Sequence, residues 1–106
     1  MGKYILLKIK PGKREKWLTW CNELKTMYKN EALITLEEES LIQERCFIFG
    51  EGDNSYVVYK HLPEAGQIKK LANMNRELNR KHFEVFHECL EKVKGEMCVG
   101  YDFTRS

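Results

Sequence analysis

Proline is scarce in this chain of 106 residues, and long apolar runs are missing. The two prolines, Pro11 and Pro63, each follow a stretch of alternating apolar residues and mark its end. No apolar run approaches the roughly 20 residues that a membrane-spanning helix needs, so we expect no membrane association. The start, MGKYILLKIK, alternates like a strand and has too short an apolar stretch for a secretory signal. The cytoplasm is therefore the expected location.

Neither sign of charge is in large excess, because 18 Lys and Arg face 16 Asp and Glu for a net charge of +2. The charges are mixed along the chain without a basic stripe, so we expect no nucleic-acid partner. The four cysteines lack the C-x-x-C spacing of metal sites and lie among apolar residues, as buried core cysteines do. We predict no metal, no cofactor and no disulfide framework.

Alternating apolar residues predict four strands, and a helical period predicts two main helices, in one domain of residues 1–106. The strands are expected at residues 3–10, 41–49, 55–62 and 97–103, and the helices at residues 13–28 and 75–94. A short helical piece is expected at residues 31–38, a weaker helical start at residues 64–72, and a helix end at Gly95.

This βαββαβ order is that of the ferredoxin-like split βαβ fold of the α+β class, in which two helices cover one face of a four-stranded antiparallel sheet. The first strand nevertheless carries apolar side chains on both faces, with Ile5 and Leu7 on one and Tyr4 and Leu6 on the other. An uncovered apolar sheet face usually marks an interface. We therefore expect a homodimer that packs sheet against sheet.

His82 lies on the apolar side of the last predicted helix. At about 100° per residue it shares a stripe with Leu71, Leu78, Phe86, Cys89 and Val93. Glu44 is the one carboxylate in the strand row Ile42, Glu44, Cys46 and Ile48. In this fold both groups would face one interior, where a carboxylate beside an imidazole suits general acid–base catalysis. Alternatively, His82 is a hydrogen-bonded core histidine and Glu44 is ion-paired with Arg45 or a lysine.

Three aromatic residues, Tyr59, Phe86 and Trp17, are candidates for the walls of a ligand pocket. The alternative is that they belong to the core and the dimer interface. The other two histidines carry no prediction of a site. His61 shows no partner in the sequence, and His87 projects about 140° away from His82 toward the surface.

Three stretches of the chain, LLKIKPGKREKWLTW, TLEEESLIQERCFIF and KHFEVFHECL, resemble a small, functionally uncharacterised bacterial family with a fold of the dimeric α+β-barrel type. The likeness covers most of the chain and is strongest at residues 10–13, 35–44 and 81–89. The family carries no established activity, so the resemblance adds to the fold and the dimer rather than to a function.

The wider superfamily includes cofactor-less monooxygenases, haem-degrading enzymes, isomerases and proteins without known chemistry. The first hypothesis is therefore a small-molecule site between helices and sheet, with His82 as general acid/base and Glu44 as its partner. The resemblance to this superfamily implies monooxygenase-like or isomerase-like chemistry on a hydrophobic ligand. The alternative is a non-catalytic dimeric binding or scaffold protein with a packed interior. Haem-degrading relatives place an Asn on the first strand and a Trp on the third. This chain departs from that pattern, with only Ile and Leu at residues 5–7 and Tyr59 on the third strand.

Overall fold

A computed structural model describes residues 3–95 and 98–105, and these form an α+β fold with one four-stranded antiparallel sheet. In chain order the elements are β1 (Lys3–Ile9), α1 (Arg14–Lys25), α2 (Lys29–Glu38), β2 (Leu41–Glu51), β3 (Asn54–Pro63), α3 (Glu77–Cys89) and β4 (Leu90–Lys92). The strands lie in the order β2-β3-β1-β4. The predicted class and sheet are confirmed. The described residues form three helices, because the short helical piece expected at residues 31–38 is a helix of its own, α2, beside the two main helices.

The core lies between the helices and one face of the sheet. Leu7 and Ile9 of β1 and Val57 of β3 are almost fully buried, because alternate side chains of a strand point to the same face. Helices α1 and α3 pack on this face and complete the core with Trp17, Trp20, Leu78, Val85 and Cys89. The opposite face keeps large apolar side chains in solvent, namely Tyr4, Leu6, Phe47 and Phe49.

Strands β2 and β3 form a hairpin that also anchors the start of α1. The pair Glu51–Asn54 closes a two-residue loop. Gly50 needs its positive φ of 83° and its missing side chain, because a Cβ there would lie 1.9 Å from the Asn54 carbonyl oxygen. Arg14 Nε donates to Ser55 Oγ over 3.0 Å, and Arg14 Nη2 donates to the Gly50 carbonyl over 3.3 Å. The hairpin therefore sets the position of α1.

A β-bulge at Ile42 changes the inward row of β2. Leu41 pairs with Pro63 and Gln43 pairs with Leu62, so Ile42 is an extra residue between two paired ones. Its side chain is 62% exposed, while that of Leu41 is 3% exposed. The prediction that Ile42 belongs to the inward row is therefore wrong, and Leu41 takes its place. Glu44, Cys46 and Ile48 keep the predicted alternation.

The predicted helix to residue 94 is too long, because the chain leaves the helix after Cys89 and enters β4 at once. Lys10 N donates to the Cys89 carbonyl over 2.8 Å, and Leu90 to Lys92 pair with β1. Strand pairing has overridden the helical period here. The strand predicted at residues 97–103 is wrong for residues 98–103, which contain no strand, and its first residue, Met97, lies outside the described residues.

The segment between β3 and α3, residues 64–76, contains no helix, so the helical start predicted at residues 64–72 is wrong. Leu71 is 94% exposed and does not belong to the apolar stripe of α3. Backbone bonds tie the segment to the end of α2, because Lys70 N donates to Glu39 O over 2.8 Å. Arg76 then donates from Nε and Nη2 to both carboxylate oxygens of Glu38 over 2.7 and 2.8 Å, just before α3 begins. None of the helices in the described chain is long and apolar enough to cross a membrane.

Candidate functional site

An open cleft of about 780 Å³ lies between the helices and the inner face of the sheet. Its lining is mainly apolar, with Ile5 and Leu7 from β1, Ile48 from β2, and Leu24 and Leu36 from the helices. Polar and charged side chains also line it, among them Glu39, Glu44, His61, Lys69, Asn79 and His82. A largely apolar cleft of this size with a few polar groups is the usual form of a small-molecule site.

His82 of α3 is held by a hydrogen bond from α1. Trp20 Nε1 donates to His82 Nδ1 over 2.9 Å. Because an indole N–H can only donate, Nδ1 must be the acceptor, and a neutral His82 carries its proton on Nε2. Among the described residues none bonds to Nε2. His82 therefore offers the cleft an N–H donor whose tautomer is set by Trp20.

Burial lowers the pKa of His82 below its ordinary value of 6.5, and the negative charge of Glu44 only partly offsets this effect. The hydrogen bond from Trp20 also lowers the His82 pKa. A proton on Nδ1 would point at the Trp20 N–H, so protonation would replace this hydrogen bond with repulsion between two N–H groups. At neutral pH His82 is therefore neutral.

Glu44 has His61 as its hydrogen-bond partner. The two residues face each other across the β2–β3 pair, and His61 Nε2 lies 3.0 Å from Glu44 Oε1. Burial opposes ionisation of the carboxyl group, but the hydrogen bond from His61, together with nearby positive charge that includes Lys69, outweighs burial and lowers the Glu44 pKa. Glu44 is therefore a carboxylate at neutral pH, and His61 Nε2 must carry the proton that it shares with Glu44.

The three predicted aromatic residues lie together, but they do not all line the cleft. Tyr59 and Phe86 do line it, with ring centroids 6.0 Å apart. Trp17 is fully buried behind them, and its ring centroid is 6.4 Å from that of Tyr59 and 6.3 Å from those of Phe86 and His82. Burial raises the pKa of Tyr59 well above 10, so its hydroxyl keeps its proton at neutral pH.

The structure thus brings four predicted site residues, Glu44, Tyr59, His82 and Phe86, to one cleft. His82 and Glu44 share it without a hydrogen bond between them, because each bonds to another residue. Sequence reasoning missed both of those residues, Trp20 and His61. The signal for His61 was available, because counting the strand pairs back from the hairpin loop places it opposite Glu44. No group of three or more His, Cys, Asp or Glu in the described parts of the chain could hold a metal ion.

Comparison with protein-family models gives a match over residues 3–102 to DUF6176, which is described as a family of unknown function. Comparisons with curated proteins and with solved structures give no match. The match spans all the elements of the fold and every polar residue of the cleft.

Proposed function

The chain belongs to DUF6176, a family of unknown function, and from the cleft we propose that it binds a small, largely apolar carbonyl compound and moves a proton next to the carbonyl group. Glu44 is the base and His82 the hydrogen-bond donor to the carbonyl oxygen in this isomerase-like reaction. The observation that carries the proposal is that an ionised carboxylate and a neutral imidazole line the same apolar cleft of about 780 Å³.

Glu44 suits the role of a base because it is unprotonated at neutral pH and held in place. His61 fixes one carboxylate oxygen, Oε1, at 3.0 Å. Within the described residues Oε2 has no side-chain hydrogen bond, so it is available to take a proton. The Glu44 side chain keeps 33% of its surface exposed, so water can reach it and restore its protonation state between turnovers.

His82 suits the role of a donor rather than that of a base. Its Nδ1 lone pair is occupied by Trp20, so the ring presents Nε2–H. When a proton leaves the carbon next to a carbonyl group, negative charge develops on the oxygen. A fixed N–H donor in an apolar site stabilises such charge more than it stabilises the substrate. One group accepts a proton and the other donates a hydrogen bond to the developing negative charge, which favours isomerase-like over monooxygenase-like chemistry.

Exchange of the α-protons of ketones with D₂O, followed by ¹H NMR, tests this proposal. The panel contains aryl and alkyl ketones and their 1,3-dicarbonyl analogues. We expect the wild type to accelerate exchange for at least one member, and Glu44→Gln to lower the rate by about 10²-fold or more. His82→Phe, which removes the donor and keeps a ring, should lower it by about 10²-fold.

Glu51→Gln is the matched control, because Glu51 is an exposed carboxylate on the same strand, and its rate should equal that of the wild type. An exchange rate that Glu44→Gln leaves unchanged would show that Glu44 is not the base. If only His82→Phe lowered the exchange rate, while Glu44→Gln and Glu51→Gln matched the wild type, His82 would be the only one of the two residues that contributes to exchange.

A non-catalytic binding protein is the second candidate, and one observation favours it. His82, which is half-buried, and Glu44, whose side chain keeps 33% of its surface exposed, are both already hydrogen-bonded to protein groups, as polar residues with a purely structural role would be. In this case the cleft binds the apolar fluorescent probe 8-anilinonaphthalene-1-sulfonate, and ketones from the panel displace it. Displacement without α-proton exchange by any ketone would favour this candidate over the first.

We also propose that the fold is of the ferredoxin-like, dimeric α+β-barrel type, with the sheets of two copies packed face to face. The strand order β2-β3-β1-β4 supports the fold type, and the exposed face with Tyr4, Leu6, Phe47 and Phe49 supports the dimer. In sedimentation, wild type and Met27→Glu should be dimeric, because Met27 is exposed outside the sheet. Leu6→Glu and Phe47→Glu should be monomeric. A monomeric wild type would contradict the dimer.

A further inference from the structure

Tyr59 brings to the cleft a hydroxyl group that the proposed proton transfer does not use. It lies on β3 between β1 and β2, with Ile5 and Cys46 as its cross-strand neighbours. The residue is only 5% exposed, yet it lines the cleft. Strand pairing on both sides therefore holds Tyr59 in a fixed place on the sheet side of the cleft.

This hydroxyl group makes no hydrogen bond within the described residues. The neighbouring polar pair on the sheet, His61 and Glu44, is bonded to itself. Trp17 Nε1 is the only fully enclosed polar side-chain atom without a hydrogen bond in the same part of the chain, so the Tyr59 hydroxyl reaches the solvent of the cleft. A largely buried hydroxyl without an acceptor is unfavourable, and an oxygen atom of a ligand would supply one.

Tyr59 and His82 together offer the cleft two separate donors. Both rings pack against Phe86, with centroids 6.0 and 6.3 Å from its centroid, and no aromatic contact joins the two rings directly in the described chain. The Tyr59 O–H comes from the sheet, whereas the His82 Nε2–H comes from helix α3. Two donors from opposite layers suit two oxygen atoms of one ligand better than a single oxygen.

The base in the cleft also points to a ligand with two carbonyl groups. The carboxylate of Glu44 is a weak base, so it needs a carbon acid that ionises readily. The carbon between two carbonyl groups loses a proton far more readily than the carbon beside a single one, because the negative charge spreads over both oxygens. Each of these oxygens would then accept a hydrogen bond from its own donor.

We propose that the cleft selects apolar 1,3-dicarbonyl compounds, with Tyr59 O–H bound to one carbonyl oxygen and His82 Nε2–H to the other. This inference rests on the proposed function for the role of Glu44, whose Oε2 takes the proton from the central carbon. As the C–H bond breaks, its electron pair forms a C=C bond and the π pair of one carbonyl group moves onto its oxygen. Return of the proton from Glu44 to carbon reverses these changes.

Binding of two matched ligands tests the assignment without turnover. The first is a phenyl methyl 1,3-diketone with two methyl groups on its central carbon, which leaves Glu44 no proton to remove there. The second is the phenyl ketone with CH₂ in place of the second carbonyl group. In isothermal titration calorimetry the wild type should bind the diketone about three- to tenfold more tightly. Equal affinities, or no binding of either ligand, would overturn the inference.

Tyr59→Phe removes the hydroxyl group and keeps the ring. It should abolish the preference for the diketone and leave the affinity for the monoketone unchanged. Tyr56→Phe is the matched control, because Tyr56 lies on the same strand and faces the opposite side of the sheet, so this variant should keep the preference. A preference that survives in Tyr59→Phe would show that another group binds the second oxygen, and the assignment would be overturned.

The ligand assignment and the proton transfer fail in different ways. A diketone preference that depends on Tyr59, without α-proton exchange by any ketone, would refute the proton transfer and support the ligand assignment. Exchange that depends on Glu44, but is equally fast in wild type and Tyr59→Phe for 1,3-dicarbonyl compounds and simple ketones, would support the proton transfer and overturn the ligand assignment.

Discussion

Substitution of Trp20 by Phe should raise the pKa of His82. Trp20 is 2% exposed, and its Nε1 donates to His82 Nδ1 over 2.9 Å. Phe keeps an aromatic ring beside the imidazole but has no N–H. The neutral imidazole then loses its donor, and the protonated imidazole no longer faces an opposing N–H. Both effects favour protonation.

The expected size follows from the hydrogen bond alone. A hydrogen bond of this kind stabilises a protein by about 0.5–1.5 kcal/mol net. One pKa unit corresponds to about 1.36 kcal/mol of difference between the two protonation states. Removal of the bond should therefore raise the His82 pKa by about 0.4–1.1. Burial still lowers the His82 pKa in this variant.

An NMR titration of the imidazole Cε1–H signals measures this value directly. His61 and His87 provide internal references in the same spectra. Trp17→Phe is the matched control, because the Trp17 ring also lies 6.3 Å from the His82 ring without a hydrogen bond to it. That variant should leave the His82 pKa nearly unchanged. An unchanged or lower His82 pKa in Trp20→Phe would refute the assignment of the tautomer, and with it the role of His82 as a donor.

Two further predictions concern stability. His82 and Glu44 both have lowered pKa values in the folded protein, so the unfolded chain binds protons first as the pH falls below the ordinary values of 6.5 and 4.5. The free energy of unfolding from urea titrations should therefore decrease from pH 7 toward pH 4. His82→Phe should show a smaller decrease between pH 7 and pH 5, because it lacks the imidazole. A free energy of unfolding that rises on acidification would contradict this prediction. Gly50→Ala should cost more than about 2 kcal/mol, from its positive φ and its clash with Asn54, while Gly12→Ala, with positive φ but open space, should cost about 1–2 kcal/mol. Equal costs would show that the clash is relieved.

The strands were predictable where the chain makes its own local pairing. The β2–β3 hairpin follows from alternation on both sides of a Gly- and Asn-containing turn, and its register sets Glu44 opposite His61. The inward direction of Glu44 was also predictable, because Glu44 alternates in β2 with the apolar residues Cys46 and Ile48 on the same face. Both depend on neighbours in the sequence, which is why periodicity suffices for them.

The rest depends on contacts between distant segments. No local signal shows that Trp20 of α1 reaches His82 of α3, because that bond depends on how two helices dock on the sheet. The end of α3 was missed for a similar reason. Its apolar period continues past Cys89, but residues 90–92 gain more by pairing with β1. The position of Trp17 in an apolar helical stripe is compatible with a pocket wall and with the core. Only the packing of the helix on the sheet decides between these two places.

The bulge at Ile42 makes one position of the sheet tolerant of a change in chain length. Leu41 already occupies the inward place that a regular strand would give to residue 42. Deletion of Ile42 would therefore restore regular alternation without moving Leu41 out of the core. Deletion of one residue between Gln43 and Phe49 would instead reverse the facing of every side chain on one side of the deleted position. Glu44 or Cys46 would then point to the opposite face of the sheet. Insertions and deletions among homologous chains are accordingly expected at this residue and not in the strand that follows it.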